Sequence, residues 1–541
     1  MTLPPGGELW IDWAAIQVVG FNQPDPLEAY LQVAAKVNHV RLQQGIPIGW
    51  CSWYQYYTNI TPATLIANTH LLREMKSELP IGLVQINDGF EHAVGEWLAF
   101  KSAFPNGLEP VTKEIWDSEL TPGLWLAPFI VHPASNRFKF HREMLLKTWT
   151  GKLVDAGWNW SGFNTGLDMT HPGAQEYVRQ VIDTAVHHWG FPYLKLDFLY
   201  AGCLPGKYTD PTLTRAQVYD RAMRLIRETA GKDTFLLGCG APIGGSIGHL
   251  DAMRIGTDVS HYWKPKYKGI ELLFPQEPNI TSVASSLQNT VSRAWLHKRW
   301  WLNDPDCLLL RSTTKLTEAE VLTQASLTAL SGSLMLFSDD MAQVPPHRLK
   351  IAQVLLPVIG KTPQVIDWHE QTTPAKLRVD LESTIGSWHL VSFTNWADMS
   401  TKPALNLIDY HLDPEITWLM RSYWDGKVST AQDGMIETGV LPPHGTWLAA
   451  VRKLNVNSPG YAGSNLHISQ GLEVAQWKVS HHCVDLILSL PRKAEGEIYL
   501  YIPAKEITLK SDSNETLVRG NENIFTVPVD FIKECQVVIL Y

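Results

Sequence analysis

Two pairs of charged residues each interrupt an apolar run. In Tyr193-Leu-Lys-Leu-Asp-Phe-Leu199, Lys195 and Asp197 are two residues apart, so on an extended strand they share one face. In Ala252-Met-Arg-Ile-Gly-Thr-Asp258, Asp258 follows Arg254 by four residues. Buried charges are costly without a purpose. A structural ion pair is one account of Lys195 and Asp197, and a loop carboxylate near a surface arginine is one account of Asp258. The other account joins them: two carboxylates from different strands facing one pocket. Glycoside hydrolysis needs such a pair, one carboxylate attacking the anomeric carbon while the other protonates the leaving oxygen. Lys195 then favours the ionised form of Asp197, and Asp258 requires surroundings that raise its pKa. Asp88, Lys195 and Arg254 suit sugar hydroxyls, and Trp53 and Trp125 offer flat walls for a ring.

Other constellations carry less chemistry. His187 and His188 are adjacent on an expected helix and point to different faces. No HExxH and no other zinc spacing occurs. Asp304-Pro-Asp306 has the form of a metal-binding pair, but its place at a Trp-rich strand end reads as support for the site rather than as metal ligation. There is no Gly-x-Ser-x-Gly elbow. Gly244-Gly-Ser-Ile-Gly248 lacks a phosphate-binding lysine and reads as a tight turn.

The elements that position these residues alternate in type. From Ile46, short apolar runs alternate with amphipathic stretches, the pattern of βαβ units. The expected strands are Ile46–Trp53, Ile81–Asp88, Pro122–Ile130, Tyr193–Phe198, Phe235–Cys239, Ala252–Gly256, Trp300–Asp304 and Ser333–Phe337. Helices fit between them, for example Pro172–Trp189 and Thr214–Thr229. Eight strands over this length predict an α/β fold, a (β/α)8 TIM barrel at 46–360, in which strand C-terminal ends converge on one mouth. An open doubly wound sheet is the alternative, but no GxGxxG follows the first strand. Residues 1–45 read as a short strand (Leu9–Val19) and a helix with Leu27, Tyr30, Leu31, Ala34 and Val37 at helical spacing. Beyond 360, strand-like runs (Trp388–Phe393, Thr446–Val451, Val484–Leu488, Ile498–Ile502, Val537–Leu540) are separated by turn residues such as Asn514. They predict an all-β, sandwich-like domain at 361–455 and a second small β unit at 456–541.

Composition bounds the partners. The 541 residues are 45% hydrophobic and 18% charged, with a net charge of −9, so the chain is globular and has no basic footprint for nucleic acid. No run is long enough to span a membrane. The start lacks a basic, apolar signal, and the six scattered cysteines read as cytoplasmic thiols. Tryptophan is unusually frequent, 22 residues against 17 Tyr and 16 Phe, which fits either a large core or sugar stacking.

Seven strings, in order and each at an expected strand, resemble glycoside hydrolase family 36, the bacterial α-galactosidases, in the clan that also holds the lysosomal enzymes. They are GWCSWYQYY (Gly49–Tyr57), QINDGF (Gln85–Phe90), GLWLAPFIV (Gly123–Val131), YLKLDFLYAG (Tyr193–Gly202), LLGCGAPIG (Leu236–Gly244), DAMRIGTDVS (Asp251–Ser260) and WLNDPDCLLLR (Trp301–Arg311). The resemblance covers roughly 25–360. It implies Asp197 as nucleophile and Asp258 as acid/base, with Trp53, Asn87, Asp88, Trp125, Lys195, Cys239 and Arg254 at substrate-binding positions. It implies double displacement with retention, no cofactor and no metal. The implied substrate is a small oligosaccharide of melibiose or raffinose type, and a homo-oligomer is compatible with it. A raffinose-synthase-like galactosyltransferase and a non-catalytic sugar-binding protein on the same scaffold are the alternatives. Two departures stand out. Many relatives have two acids where this chain has Asn87-Asp88, and the amide is neutral although it still donates and accepts. Relatives also carry a large N-terminal β-domain where about 45 residues stand here, which predicts a more open pocket.

Overall fold

The computed structural model describes residues 6, 8, 16–20, 25–43, 45–266, 280–431, 433–511, 514–519 and 523–541. Most of the strand expected at Leu9–Val19 lies outside them, and 16–20 have no regular structure.

Eight parallel strands form the first sheet: β1 (Ile48–Cys51), β2 (Leu83–Ile86), β3 (Thr121–Leu126), β4 (Tyr193–Leu196), β5 (Phe235–Gly238), β6 (Ala252–Arg254), β7 (Leu302–Asp304, resumed at Cys307–Leu308) and β8 (Met335–Phe337). Neighbours in sequence are neighbours in space from β1 to β7, and β8 pairs with β1. Closure happens within β7, which Pro305 interrupts. Its first part pairs with β6 and its second with β8. Across this seam the Leu334 N–H donates to the Asn303 carbonyl at 3.0 Å. The result is a TIM barrel, and every expected strand is present. The strands read as apolar runs because helices cover the outside while side chains fill the inside.

The helices follow their sequence signals. Arg215–Ala230 starts at Thr214, whose hydroxyl accepts from the Gln217 N–H in a capping box. Its buried face is Val218, Tyr219, Ala222, Met223, Ile226 and Ala230. The helix expected to reach Trp189 stops at Asp183 and widens into a π turn, Thr184–His188, with both histidines exposed. Gly244 and Gly245 belong to a one-turn helix, Ile243–Ser246, not to a turn. The first helix, Glu28–Val37, buries only Leu31, and Tyr30 and Val37 stay exposed. Arg299 fastens it through Asp25 and Glu28.

The C-terminal part is antiparallel. A six-stranded sheet spans Gln364–Val365 to Thr446–Lys453. In its strand Thr446–Lys453, Leu448 and Ala450 join the barrel's core. Trp447, Ala449 and Val451, on the opposite face, join a second core with Leu405, Leu407, Tyr410 and Ile436. A further sheet from Gly460 onward is dominated by one long pair, Cys483–Tyr501 against Ile524–Leu540. The two runs expected as separate strands near 486 and 500 are one strand, bulged around Pro491 between Ser489 and Lys493. Asn514, expected in a turn, opens a strand, Asn514–Arg519. Among the described residues, no helix is long and apolar enough to cross a membrane.

Candidate active site

The ends of β1, β2, β3, β4 and β6, with the segment 159–160, enclose a cavity of about 240 Å³, lined by Trp53, Asn87, Asp88, Trp125, Asn159, Trp160, Lys195, Asp197, Phe198 and Asp258. That is small for a ligand pocket, whose usual range is roughly 300–1,000 Å³, and it suits a single polar ring.

Lys195 sits in β4 beside Trp125 of β3, the two residues being in register. Asp197 follows just past the strand end, where its N–H still donates to the Leu126 carbonyl at 2.8 Å. Its carboxylate is oriented by two donors: Trp125 Nε1 at 3.0 Å to Oδ2 and the Phe198 N–H at 2.7 Å to Oδ1. Phe198 has φ 52°, a strained conformation for a bulky side chain. Across from it Gly240 has φ +54°, and a Cβ there would lie 3.4 Å from Asp197 Oδ1. The strain turns the carboxylate and the Phe198 ring into the cavity together.

Lys195 and Asp197 share the cavity but form no ion pair. Lys195 is only 4% exposed, yet its ammonium makes no hydrogen bond or salt bridge with the described residues. Burial and nearby Arg254 oppose its charge, but the acidic groups around it, Asp197 among them, hold the ammonium above the ordinary lysine value. A buried cation left open towards a cavity is a donor waiting for a polar ligand.

Asp258 is held from behind. Arg254 Nη1 donates to its Oδ1 at 3.0 Å, and the next N–H, of Val259, donates to Asp306 Oδ2 at 2.8 Å. Arg254 also holds two further carboxylates. Its Nε donates to Asp304 Oδ2 at 2.9 Å and its Nη2 pairs with Asp306 Oδ1 at 2.8 Å. Tyr54 also donates to Asp306. Two cations, Lys195 and Arg254, thus face four carboxyls, Asp197, Asp258, Asp304 and Asp306. The imbalance falls on Asp258. Burial first and Asp306 second push it up to about 6, against the pull of Arg254 and Lys195. Its side chain remains 44% accessible, through the cavity it lines. One carboxyl fixed by N–H donors and another poised to hold a proton are the two parts that acid-assisted nucleophilic displacement requires.

At the end of β2, Asn87 accepts from Gln85 Nε2 at 2.6 Å through Oδ1, and its N–H donates to Ser52 Oγ at 3.0 Å. Asp88 accepts from Trp160 Nε1 at 2.6 Å. Trp53 is half-buried, its ring edge-on to Tyr57 at 5.2 Å.

Of the residues singled out in the sequence, Trp53, Asn87, Asp88, Trp125, Lys195, Asp197 and Asp258 come together at the cavity. Arg254 and Cys239 do not line it. Arg254 stands behind Asp258, and the Cys239 thiol is buried behind the wall, held well above the usual thiol range by burial and then Asp197. Asp304 and Asp306 face Arg254 and backbone N–H groups. The sequence reading missed Asn159, Trp160 and Phe198. Asn159 and Trp160 sit on a hairpin, Trp158–Asn159 against Gly162–Phe163, whose turn residues Trp160 and Ser161 both have positive φ. The alternation of Trp158-Asn-Trp160 ahead of Ser-Gly was the available signal.

A family model described as Melibiase matches residues 42–203. AgaA, an α-galactosidase of Geobacillus stearothermophilus, is 31% identical over 128 residues, 22% of this chain but only 17% of that protein. The solved structure of TtGalA, an α-galactosidase from Thermus thermophilus, superposes with TM-scores of 0.54 in complex with stachyose and 0.55 in complex with p-nitrophenyl α-D-galactopyranoside. For the stachyose complex the identity is 30%, covering 60% of this chain and 69% of that one. For the nitrophenyl complex it is 29%, covering 64% and 68%. The matched segment 42–203 carries β1 to β4 and with them Trp53, Asn87, Asp88, Trp125, Lys195 and Asp197. The likeness to the Thermus structure extends over more than half of the chain, and on these grounds the chain belongs to the melibiase family.

Proposed function

We propose that this protein is a retaining exo-α-galactosidase of the glycoside hydrolase family 36 type, acting on terminal α-linked galactose of small oligosaccharides. The observation that carries the reading is the pair Asp197 and Asp258, opening into one ring-sized cavity beside the unpaired ammonium of Lys195. The galactosides bound to the Thermus relative support the substrate class, and the ordered motif set supports the family.

In the first step an Asp197 oxygen attacks the anomeric carbon while Asp258 gives its proton to the leaving oxygen. This forms a β-galactosyl ester and frees the aglycone. In the second, Asp258, now a carboxylate, takes a proton from water. The water oxygen attacks the same carbon, Asp197 leaves, and α-galactose is released with Asp258 protonated again. Lys195, Asp88 and Asn87 bind ring hydroxyls, and Trp53, Trp125 and Trp160 exclude water. The scheme asks for no metal or cofactor. The six cysteines, all free thiols, fit a reducing, cytoplasmic setting.

The test is nitrophenol release from a panel of α-galactoside, α-glucoside, α-N-acetylgalactosaminide and β-L-arabinopyranoside. Release from the α-galactoside alone is expected. Asp197→Gly should abolish turnover, and azide should restore it with a β-galactosyl azide as product. An α-azide would end the nucleophile assignment. Asp258→Ala should slow melibiose hydrolysis far more than hydrolysis of an aryl galactoside with a good leaving group, and equal losses would end its acid role.

A further inference from the structure

Asp88 has a carboxyl neighbour with no role so far. Glu91 follows it by three residues, is 2% exposed, and its carboxyl is within hydrogen-bonding reach of Asp88. Its Oε2 accepts from the Gly89 N–H at 3.1 Å. The backbone holds the two acids together. Gly89 has φ +121°, where a Cβ would meet the Thr58 carbonyl at 2.7 Å, and Glu91 bridges Phe100 across an antiparallel contact. On its other side Asp88 accepts from Trp160 Nε1 at 2.6 Å.

Two buried carboxyls in contact repel strongly if both are charged, so one proton is retained between them. Burial first and Asp88 second hold Glu91 well above the ordinary carboxylic value. Among the described residues no cation forms a hydrogen bond or ion pair with either acid, the Lys195 ammonium lining the same cavity as Asp88 without bonding to it. Lys101, whose N–H pairs with the Phe90 carbonyl, sends its ammonium to the Thr58 carbonyl at 3.4 Å, and Trp160 on the hairpin is neutral.

We propose that Glu91 is a positioning residue that keeps a proton and donates it to Asp88, clamping Asp88 against Trp160 so that its remaining lone pairs face the sugar hydroxyls. The inference rests on the reading of Asp88 as a hydroxyl acceptor. It makes the floor of the site a proton-sharing pair, Asp88 and Glu91, next to the neutral Asn87. Loss of the Glu91 proton at high pH sets the two carboxylates against each other and weakens binding without touching Asp197 or Asp258.

The experiment measures kcat and KM against pH for wild type, Glu91→Gln and Glu91→Ala, on whichever nitrophenyl glycoside the wild type hydrolyses. Glu91→Ala should raise KM roughly tenfold with kcat within about twofold. Glu91→Gln keeps a donor but cannot titrate. It should hold KM within about threefold of wild type and remove the rise of KM at alkaline pH. An unchanged KM in Glu91→Ala, or equal damage in both variants, overturns the proposal. A second readout needs no turnover. The infrared difference between wild type and the near-isosteric Glu91→Gln at neutral pH should contain the carbonyl stretch of a protonated acid, and its absence also overturns the proposal. A wild type silent on every glycoside but showing that band supports the proton on Glu91 and counts against the hydrolase reading alone.

Discussion

Arg254 is the point where the charges of the site meet, and its neighbours decide which acid holds a proton. It joins the buried Asp304 and Asp306 to Asp258, which opens on the cavity. Asp258 is pushed up to about 6, and Asp306 is the largest contributor after burial. An acid that must start protonated works below its pKa and fails as pH rises through it. The basic limb of kcat/KM should therefore lie near pH 6. Asp306→Asn removes the repelling charge and leaves Arg254 freer to pull on Asp258. Both effects lower the pKa, so the limb should move to lower pH in the kcat/KM profile. An unmoved limb would dissociate Asp258 from it. The charged residues that the fold brings to the cavity and to the cluster behind it stood out in the sequence because Lys195, Asp197 and Arg254 break apolar runs, where a charge needs a reason. Glu91 was not legible, since its role depends on the folded distance to Asp88. Arg254 was expected among the sugar ligands from its donor character and the resemblance, and only the fold shows that each of its three guanidinium nitrogens already meets a carboxylate.

Elements show the same division between pattern and placement. The eight barrel strands were legible because each is a short apolar run ended by Gly, Pro or a polar residue. The seam inside β7 and the bulge at Pro491 were not, because each depends on which neighbour a strand finds on either side of a proline. The hairpin carrying Trp160 belongs to the long excursion between β3 and β4, where only the short alternation Trp158-Asn-Trp160 marks what reaches the cavity. Its geometry makes a separable contribution. Trp160 Nε1 donates to the Asp88 carboxyl, and the ring leans on Phe198 at 5.1 Å. Trp160→Phe keeps the ring contact and removes the donor. A hydrogen bond to a charged group contributes about 1.5–3 kcal/mol. KM should rise roughly tenfold or more with kcat nearly kept, and steady-state kinetics on the aryl galactoside will read this. A fall in kcat at constant KM would mean that the hairpin acts on the chemistry instead.

At the scale of the whole molecule, the last sheet is fastened into the body rather than appended to it. Ile468 belongs to the same apolar cluster as the barrel, and its N–H donates to the Val354 carbonyl at 2.9 Å. Trp388 Nε1 donates to the Ser469 carbonyl at 2.9 Å. Two guanidiniums of the first β-sheet are buried and, among the described residues, find hydrogen-bond acceptors only past residue 460. Arg421 Nη1 donates to the Ser464 carbonyl and to Gln470 Oε1, both at 2.9 Å. Arg452 donates to the Ala462 carbonyl at 2.8 Å and to the Gln470 carbonyl. A chain ended at 455 would keep both arginines and lose every one of these acceptors. Leaving a buried charge unpaired costs about 3–5 kcal/mol, and two such losses rival a whole domain's stability of about 5–15 kcal/mol. Residues 1–455 should therefore be insoluble or melt far below the full chain, even though the cavity at the strand ends lies wholly in the barrel. The double variant Arg421→Met, Arg452→Met made in the 1–455 chain separates charge from mere loss of mass. It removes the stranded cations while keeping apolar bulk, so it should melt clearly above the unsubstituted 1–455 chain. Thermal melts of the three proteins decide the matter. A 1–455 chain that melts within a few degrees of full length would show that the arginines find water or other partners, and that the second sheet is dispensable for the fold.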